Sequence, residues 1–437
     1  MKLTKILSLA LIFCLLFTMT AFAESDKPYA GTTINVILNT HNYYNVADQF
    51  IPEFEAATGI KVNIEHIERV SLATKQEMEL GANTGAYDVM LIDGSKVARY
   101  DMAGWVEPLN DYIANDASFD YSDYIDAYAD LLKIEDRVNG LPCIGETTVL
   151  FYRKDLLEKV GVTEAPKTWA EVEAACEKLS ALEGIAPLGL RARAGEGLNV
   201  YVWASFLYAY GGQYVNAEGY PVLDSAEAKA SVQKFADLIN KYGPVGGGDM
   251  THADTVPMFQ QGKLAMFYDA SVFNANFMDA TQAVPEVLEN WAATPAPMGE
   301  DGKGAAAVAA HSLMIPKASK NKGAAWEFIK WYTGSELQTK VALETKTFGA
   351  IVHKSITSDP SFLEIFGGHG WIEAVDESLT HSRPDYRYTE NPDWAWIGDR
   401  IGKAIQDTII GIDTVENNMD VMNADLVEFF EENGYID

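Results

Sequence analysis

Strand-like and helix-like segments alternate from residue 34 onward, and this alternation most narrows the folds open to the chain. Ile34–Leu38 reads as a strand, and Val46, Phe50 and Phe54 then mark one face of a helix that Gly59 ends. A second strand follows at Lys61–Ile67 and a polar helix at Ser71–Leu80. Val89–Ile92 is a short, wholly apolar run of the kind that buried parallel strands show. Strands separated by helices build an α/β sheet, and ligands of such sheets sit beyond the carboxyl ends of the strands. Asn39–Tyr44 and Asp93–Lys96 follow two of those ends. No repeat of fixed period and no low-complexity linker breaks the pattern, so two independent beads on a string are not expected. The Gly- and Pro-rich stretches Gly243–Asp249 and Thr294–Gly304 read as surface loops.

The amino terminus bounds the compartment. Lys2 and Lys5 precede the apolar run Ile6–Phe17, and Ala21-Phe22-Ala23 supplies the small residues of a cleavage site. Residues 1–23 are therefore expected to be a signal peptide, and the remainder an exported protein. The apolar run is shorter than the ~20 residues of a membrane span, and Cys14 behind Phe13 makes a poor lipoprotein signal, so a soluble product is expected. Cleavage leaves Cys143 and Cys176, which either pair in an oxidising compartment or stay as two buried thiols; the sequence leaves both open. Lys2 and Lys5 are the only charges removed, so the formal charge moves from −30 to −32. Such acidity repels nucleic-acid phosphates and anionic membranes and argues against both as partners. About 410 residues suffice for two domains.

Motifs for catalysis are missing. The sequence carries no GxSxG, no HExxH, no P-loop and no CxxC, and its seven histidines are too scattered to give a metal spacing. Gly195-x-Gly197 lacks the third glycine of a dinucleotide fingerprint and does not follow the first strand. No cofactor is implied.

Residues 145–169, GETTVLFYRKDLLEKVGVTEAPKTW, join a strand (Thr147–Tyr152), a helix (Lys154–Val160, stopped by Gly161) and a second helix. The second helix opens on a capping box, Thr168 with Glu171, and continues an apolar face through Val172, Cys176 and Leu179. This run resembles the signature of the family 1 extracellular solute-binding proteins, the sugar-binding components of bacterial ABC importers. EFEAATGIKV at Glu53–Val62, YDVMLIDGSKVARYDMAGWVEPL at Tyr87–Leu109, QGKLAMFYD at Gln261–Asp269 and SKNKGAAWEFIKWYTGSELQ at Ser319–Gln338 match in the same order. The resemblance implies an α/β fold of two discontinuous lobes, residues 24–145 with 309–350 and residues 146–308 with 351–437, joined by a hinge. The crossings would lie near Gly145–Val149, Gly304–His311 and Phe348–Val352. It also implies a monomer that closes on a carbohydrate and delivers it to a membrane permease.

Carbohydrate recognition needs aromatic faces and groups that hydrogen-bond hydroxyls. Glu146, six residues before Tyr152, stands where family members place an acidic sugar ligand; its competing reading is an exposed hinge carboxylate. Asp93 and Ser95 follow the Val89–Ile92 strand, where the family puts polar contacts, although a cap by Asp93 would explain it equally. Asn39, His41 and Tyr44 beyond the first strand, and His311 at an implied crossing, complete the first lobe's candidates. In the second, Arg191, Arg193, Glu196 and Asn199 cluster on a loop before the helix that carries Trp203, and Asp269 follows LAMFY. Trp394 and Trp396 stand about 200° apart on a helix and cannot both face one ligand; Trp396 better matches the family's stacking tryptophan. Val272 or Phe273 stands where the family has a further aromatic, which argues against an oligosaccharide with several stacked rings. The rival readings are a secreted glycosidase using two carboxylates, and the same fold holding a non-sugar ligand such as a polyamine.

Overall fold

The computed structural model describes residues 27–436 apart from 196–197, 347–348, 384 and 389–390. The expected signal peptide, residues 1–23, and the candidate Glu196 lie outside the described residues. Eight strands carry the architecture: β1 (Thr33–Asn39), β2 (Lys61–Ile67), β3 (Val89–Asp93), β4 (Leu141–Arg153), β5 (Ala186–Gly189), β6 (Leu264–Ala270), β7 (Trp291–Pro295) and β8 (Val308–Met314). The expected loop at Thr294–Gly304 thus begins two residues later, because Thr294 and Pro295 extend β7 against β4.

β4 is the longest strand, reaching well before the Thr147 expected from its β-branched run, and only Glu146 and Tyr152 along it escape full burial. Its first half pairs antiparallel with β8, from Leu141 opposite Leu313 to Thr147 opposite Val308. Its second half is flanked on both sides, by β6 from Thr148 to Tyr152 and by β7 from Val149 to Arg153. One strand therefore serves two sheets. The first runs β2-β1-β3-β8-β4, with parallel β1–β2 and β1–β3 pairs and an antiparallel β8–β3 pair. The second runs β7-β4-β6-β5 and ends on a parallel pair. The outer strands are β2, β5 and β7, and Ala293 N on the outer side of β7 donates to the His369 carbonyl at 2.9 Å.

Each sheet has its own core. One buried cluster draws on residues 34–144 and 308–352, and another on residues 150–307 and 386–436. A third joins Val149, Phe151, Phe267 and Trp291 to Phe362, Phe366 and Trp371. Ala350 and Val352 belong to the first cluster and Ile351, between them, to the third. This segment is tied to β4, since Gly145 N donates to the Ala350 carbonyl at 3.3 Å and Val352 N to Gln338 Oε1 at 3.1 Å. Gln338 Nε2 in turn donates to the Cys143 carbonyl at 2.5 Å.

The capping box forms: Glu171 N donates to Thr168 Oγ1 and Thr168 N to Glu171 Oε2, both at 3.2 Å, and Val172, Cys176 and Leu179 are buried. The single helix expected through Val46, Phe50 and Phe54 is instead broken into Asn42–Ala47, a 3-10 turn at Asp48–Phe50, and Ile51–Thr58. Pro52 in the first turn of the last segment has no N–H to offer the carbonyl of Asp48. Of the three apolar positions only Phe54 is buried. Gly59 ends the run with φ at 75°, as expected. Cys143 and Cys176 are free thiols, one in each of the two larger cores, and burial pushes Cys143 up to about 12. No helix among the described residues is long and apolar enough to cross a membrane.

The helix Lys322–Tyr332 is fastened to the first core by Asp116, which accepts from Lys330 Nζ at 2.5 Å, Trp326 Nε1 at 3.1 Å and Ser118 N at 3.0 Å. Burial alone would raise this carboxyl, but Lys330, Ser118 and Trp326 outweigh it and hold it well below the usual carboxylate range. A carboxyl lower in the folded than in the unfolded state adds stability above the unfolded value, near 3.9, and loses it as pH falls toward the folded one. Asp116→Asn should cost about 2 kcal/mol in urea unfolding at pH 7, and the gap to the parent should narrow between pH 4 and pH 3.

Candidate functional site

Side chains on a strand alternate between faces, and residues opposite each other across an antiparallel pair share one. Glu146 lies opposite Ala309, and His311, two residues on, lies opposite Asp93 of β3. Glu146, His311 and Asp93 therefore line one face at the junction of the two sheets, and Gly145 faces the other way. His311 Nε2 stands 3.9 Å from Asp93 Oδ1. The His41 ring meets His311 edge-on at 5.8 Å, held by Tyr43 N, which donates to His41 Nδ1 at 3.1 Å across the first turn of its helix.

The second core approaches Glu146 with a denser arrangement. Arg191 is buried and donates through Nε to Asp269 Oδ2 at 2.7 Å, with a second bond from Nη2 to Oδ1. Burial works against the Arg191 charge, but Asp269 outweighs it and keeps the guanidinium above its ordinary value. Asp269 is 0% exposed and also accepts from Ala270 N at 2.6 Å, so its oxygens are occupied within the protein. The Tyr201 ring lies under two guanidinium groups, Arg191 at 4.9 Å and Arg387 at 5.1 Å. Its hydroxyl is buried without a hydrogen-bond partner among the described residues. Burial first, and the negative charge of Glu146 next, push that hydroxyl well above the usual tyrosine value. Burial lowers Arg387, against the pull of Tyr201 and Glu146. Arg387 makes no ion pair among the described residues. Its loop is pinned by tyrosines: Tyr386 Oη donates to the Tyr201 carbonyl at 3.1 Å and Tyr208 Oη to that of Asp385 at 3.0 Å.

Glu146, Arg191 and Asp269 are thus brought together, as are His41, His311 and Asp93. Ser95 sits half-buried on the 3-10 turn after β3, and Asp93 makes no side-chain cap to that turn. Asn39 is buried, and its carbonyl lies 3.3 Å from His66 Nδ1. Other candidates go elsewhere. Tyr44 is enclosed between the stacked rings of His66 and Tyr332 and has no face left for a ligand. Arg193 pairs on the surface with Asp249, at 3.0 and 2.7 Å. Asn199 is a buried strut whose Nδ2 donates to the carbonyls of Ala192 and Gly402 at 3.0 and 2.8 Å. Trp203 is core, with its indole donating to Ser231 Oγ at 3.1 Å.

Trp394 and Trp396 do diverge on their helix, Trp394–Ile409, with Trp394 buried in the second core. Trp396 is 41% exposed, but its inner face is taken by Phe429, stacked at 4.0 Å and 13° from the helix Val415–Glu432. Sequence reasoning missed Tyr201 and Arg387. Tyr201 lies in an apolar helix where nothing in the pattern marks it out. Arg387 carried a signal that went unused, a lone cation among aromatic residues in DYRY.

The description of the matching family, bacterial extracellular solute-binding protein, covers residues 39–339. The chain belongs to that family. Among its relatives is the erythritol/L-threitol-binding protein of Mycolicibacterium smegmatis, 24% identical over 399 residues, covering 84% of this chain and 81% of the relative. The mannitol-binding protein of Pseudomonas aeruginosa is 27% identical over 281 residues, 64% of this chain and 62% of that protein. Among solved structures, an ABC transporter solute-binding protein from Agrobacterium radiobacter K84 in complex with ribitol superposes with a TM-score of 0.81 at 23% identity, covering 92% of this chain and 100% of that one. Maltose-bound T. maritima MalE3 gives 0.79 at 24%, with 92% and 100% covered. These likenesses establish the fold as the two-lobe α/β architecture of solute-binding proteins.

Removing one partner of a buried ion pair leaves the other charge stranded. Asp269→Ala should lower unfolding free energy in urea by about 3–5 kcal/mol, whereas Arg193→Ala, breaking an exposed pair, should cost less than about 1 kcal/mol.

Proposed function

We propose that this protein captures a small neutral polyhydroxylated ligand, an acyclic polyol or a single sugar, at the face formed by Glu146, and presents it to the membrane permease of an ABC importer. The observation that carries the reading is the convergence of Glu146, Arg387 and the Tyr201 hydroxyl. A carboxylate accepts from neighbouring hydroxyls, a guanidinium donates to them, and a phenol does either. Asp269 already balances the Arg191 charge, Arg387 faces the opposite charge of Glu146, and Asp93 on the same face is met by His311 at 3.9 Å. A desolvated guanidinium at the face suits a neutral hydroxyl-bearing ligand and disfavours a cationic polyamine.

Aromatic faces decide between ring and chain. Trp203, Trp394 and Tyr44 are buried, Trp396 is stacked on Phe429, and of Val272 and Phe273, which stand where an aromatic was expected, Phe273 has its ring stacked by His252 at 5.7 Å and faced by Arg191 at 5.9 Å, which leaves few flat surfaces for a pyranose. Acyclic alditols need none. The ligands for which the two relatives are named, erythritol, L-threitol and mannitol, and the ribitol bound by the Agrobacterium radiobacter protein are of this class, which supports the reading.

Residues 24–145 with 309–350, and 146–308 with 351–437, are the lobes of this proposal, hinged where β4 passes between the sheets. Ligand contacts from both lobes favour the closed state. Cleavage after Ala23 would place the protein outside the cytoplasm, as a monomer.

A ligand at a hundredfold excess over its dissociation constant stabilises the native state by ~2.7 kcal/mol. Residues 24–437 are therefore expected to melt higher with an alditol among erythritol, ribitol and D-mannitol, and not with spermidine. Hydrogen bonds to charged groups contribute about 1.5–3 kcal/mol, so Glu146→Gln and Arg387→Met should each weaken that binding roughly 10- to 100-fold by calorimetry. A shift with spermidine alone, or turnover of a glycoside lost in Glu146→Gln, would sink the reading.

A further inference from the structure

Arg387, the cation of the proposed site, is followed by a residue in an unfavourable backbone conformation. Tyr388 has φ at 57°, in the left-handed region that glycine and asparagine enter readily and a bulky side chain enters only against steric resistance. The other non-glycine residues with positive φ among those described are Asn83, Glu135, Lys346 and His369, and none of them adjoins a candidate ligand residue.

Such a conformation persists only where its surroundings over-determine it. Tyr388 N donates to the Asp385 carbonyl at 3.1 Å, closing a turn in which Arg387 is the third residue. The same carbonyl accepts from Tyr208 Oη at 3.0 Å, and the Tyr388 carbonyl accepts from Asn391 N at 3.2 Å. The Tyr388 ring runs nearly parallel to two buried rings, Tyr214 at 6.1 Å and 19° and Phe430 at 6.1 Å and 17°. Were φ to return to about −60° with the ring still seated, the peptide that joins Arg387 to Tyr388 would swing by about 120° and carry the guanidinium away from the Tyr201 ring, over which it lies at 5.1 Å. With no ion pair of its own among the described residues, Arg387 takes its direction from this backbone.

We infer that Tyr388 is a positioning residue for ligand capture: its left-handed backbone, kept in place by the Tyr214 and Phe430 rings, aims the Arg387 guanidinium across Tyr201 toward Glu146. The inference deepens the proposed ligand reading and rests on it for the role of Arg387. Affinity then follows the share of molecules in which Arg387 already stands in position. Side-chain choice separates this role from simple packing. Asparagine enters the left-handed region readily and β-branched valine does not, while neither supplies a ring.

The test compares Tyr388→Val, Tyr388→Asn and Tyr388→Phe in the protein from residue 24 to 437, with the D-mannitol dissociation constant read by calorimetry and each fold checked by thermal melting. Tyr388→Val should weaken binding about tenfold and Tyr388→Asn no more than about threefold, while Tyr388→Phe, the conservative variant, restores the parent value. Tyr388→Ala takes the place of Tyr388→Val, with the same expectation, should the latter not fold. On top of Arg387→Met, Tyr388→Val should weaken binding no further although it still lowers the melting temperature, whereas a packing role alone would act equally in both backgrounds. In a crystal structure of unliganded Tyr388→Val, Arg387 should have left the Tyr201 ring. Parent affinity in a folded Tyr388→Val, equal weakening by valine and asparagine, or an undiminished effect on top of Arg387→Met overturns the inference. Should the parent bind no D-mannitol, the ligand reading fails, and the crystal structure decides alone: a guanidinium still 5.1 Å over the Tyr201 ring refutes positioning by Tyr388.

Discussion

Backbone hydrogen bonding along β4 is the constraint on which the rest of the molecule hangs. Buried N–H and C=O groups must be paired, and this strand finds its partners in β8 for its first half and in β6 and β7 for its second. Its register admits no slip. A shift by one residue would exchange the faces of Gly145 and Glu146, driving a carboxylate into the Tyr128 ring and leaving the candidate site without its acid. The adjacency of a glycine and a glutamate thus reflects two needs met at one point, close packing behind and polar chemistry in front.

Charge near that point is distributed unevenly. Arg191 and Asp269 form a closed pair, with Ala270 N taking part of what remains of the carboxylate, so they act as framework more than as recognition. Their value to the site is geometric, since the guanidinium so fixed lies over Tyr201 and Phe273. Arg387 is held differently, by a loop fixed just before it, where Tyr208 Oη donates to the Asp385 carbonyl and Tyr386 Oη to the Tyr201 carbonyl, while its own guanidinium lies over the Tyr201 ring.

Much of the fold was legible where pattern and local chemistry agree. The strand Lys61–Ile67, the Thr168 capping box and the Gly59 stop are local features, and they form where expected. The single helix expected through Phe50 rested on its apolar stripe alone, and Pro52, in the first turn of the last segment, goes with the break. For the site, Asp93 was singled out by its place at a strand end, and Glu146 and His311 by the family resemblance at the implied crossings. Glu146, Asp93 and His311 converge because β register is contagious between neighbouring strands. Trp203 and Trp394 were chosen for their aromatic character and Tyr44 for its place beyond a strand end, and a large apolar ring is more readily buried than offered. Tyr201 was passed over in the same helix as Trp203, since the orphaned hydroxyl that distinguishes it is a property of packing and not of sequence.

The outer strands carry a further consequence. β2 shows alternate exposed positions at Lys61, Asn63 and Glu65, with Lys75 bound to Glu65 at 2.8 Å beside the free rim. β5, at the other end, is four residues long and contains Pro187, which cannot donate to an added strand. Bare sheet edges are templates for strand addition, and short, charged or proline-bearing ones are poor templates. Both of these rims are blunted in that way, and the third edge, β7, has its Ala293 N taken by the His369 carbonyl, so crowded copies of this chain meet no ready seam along which to grow into fibres.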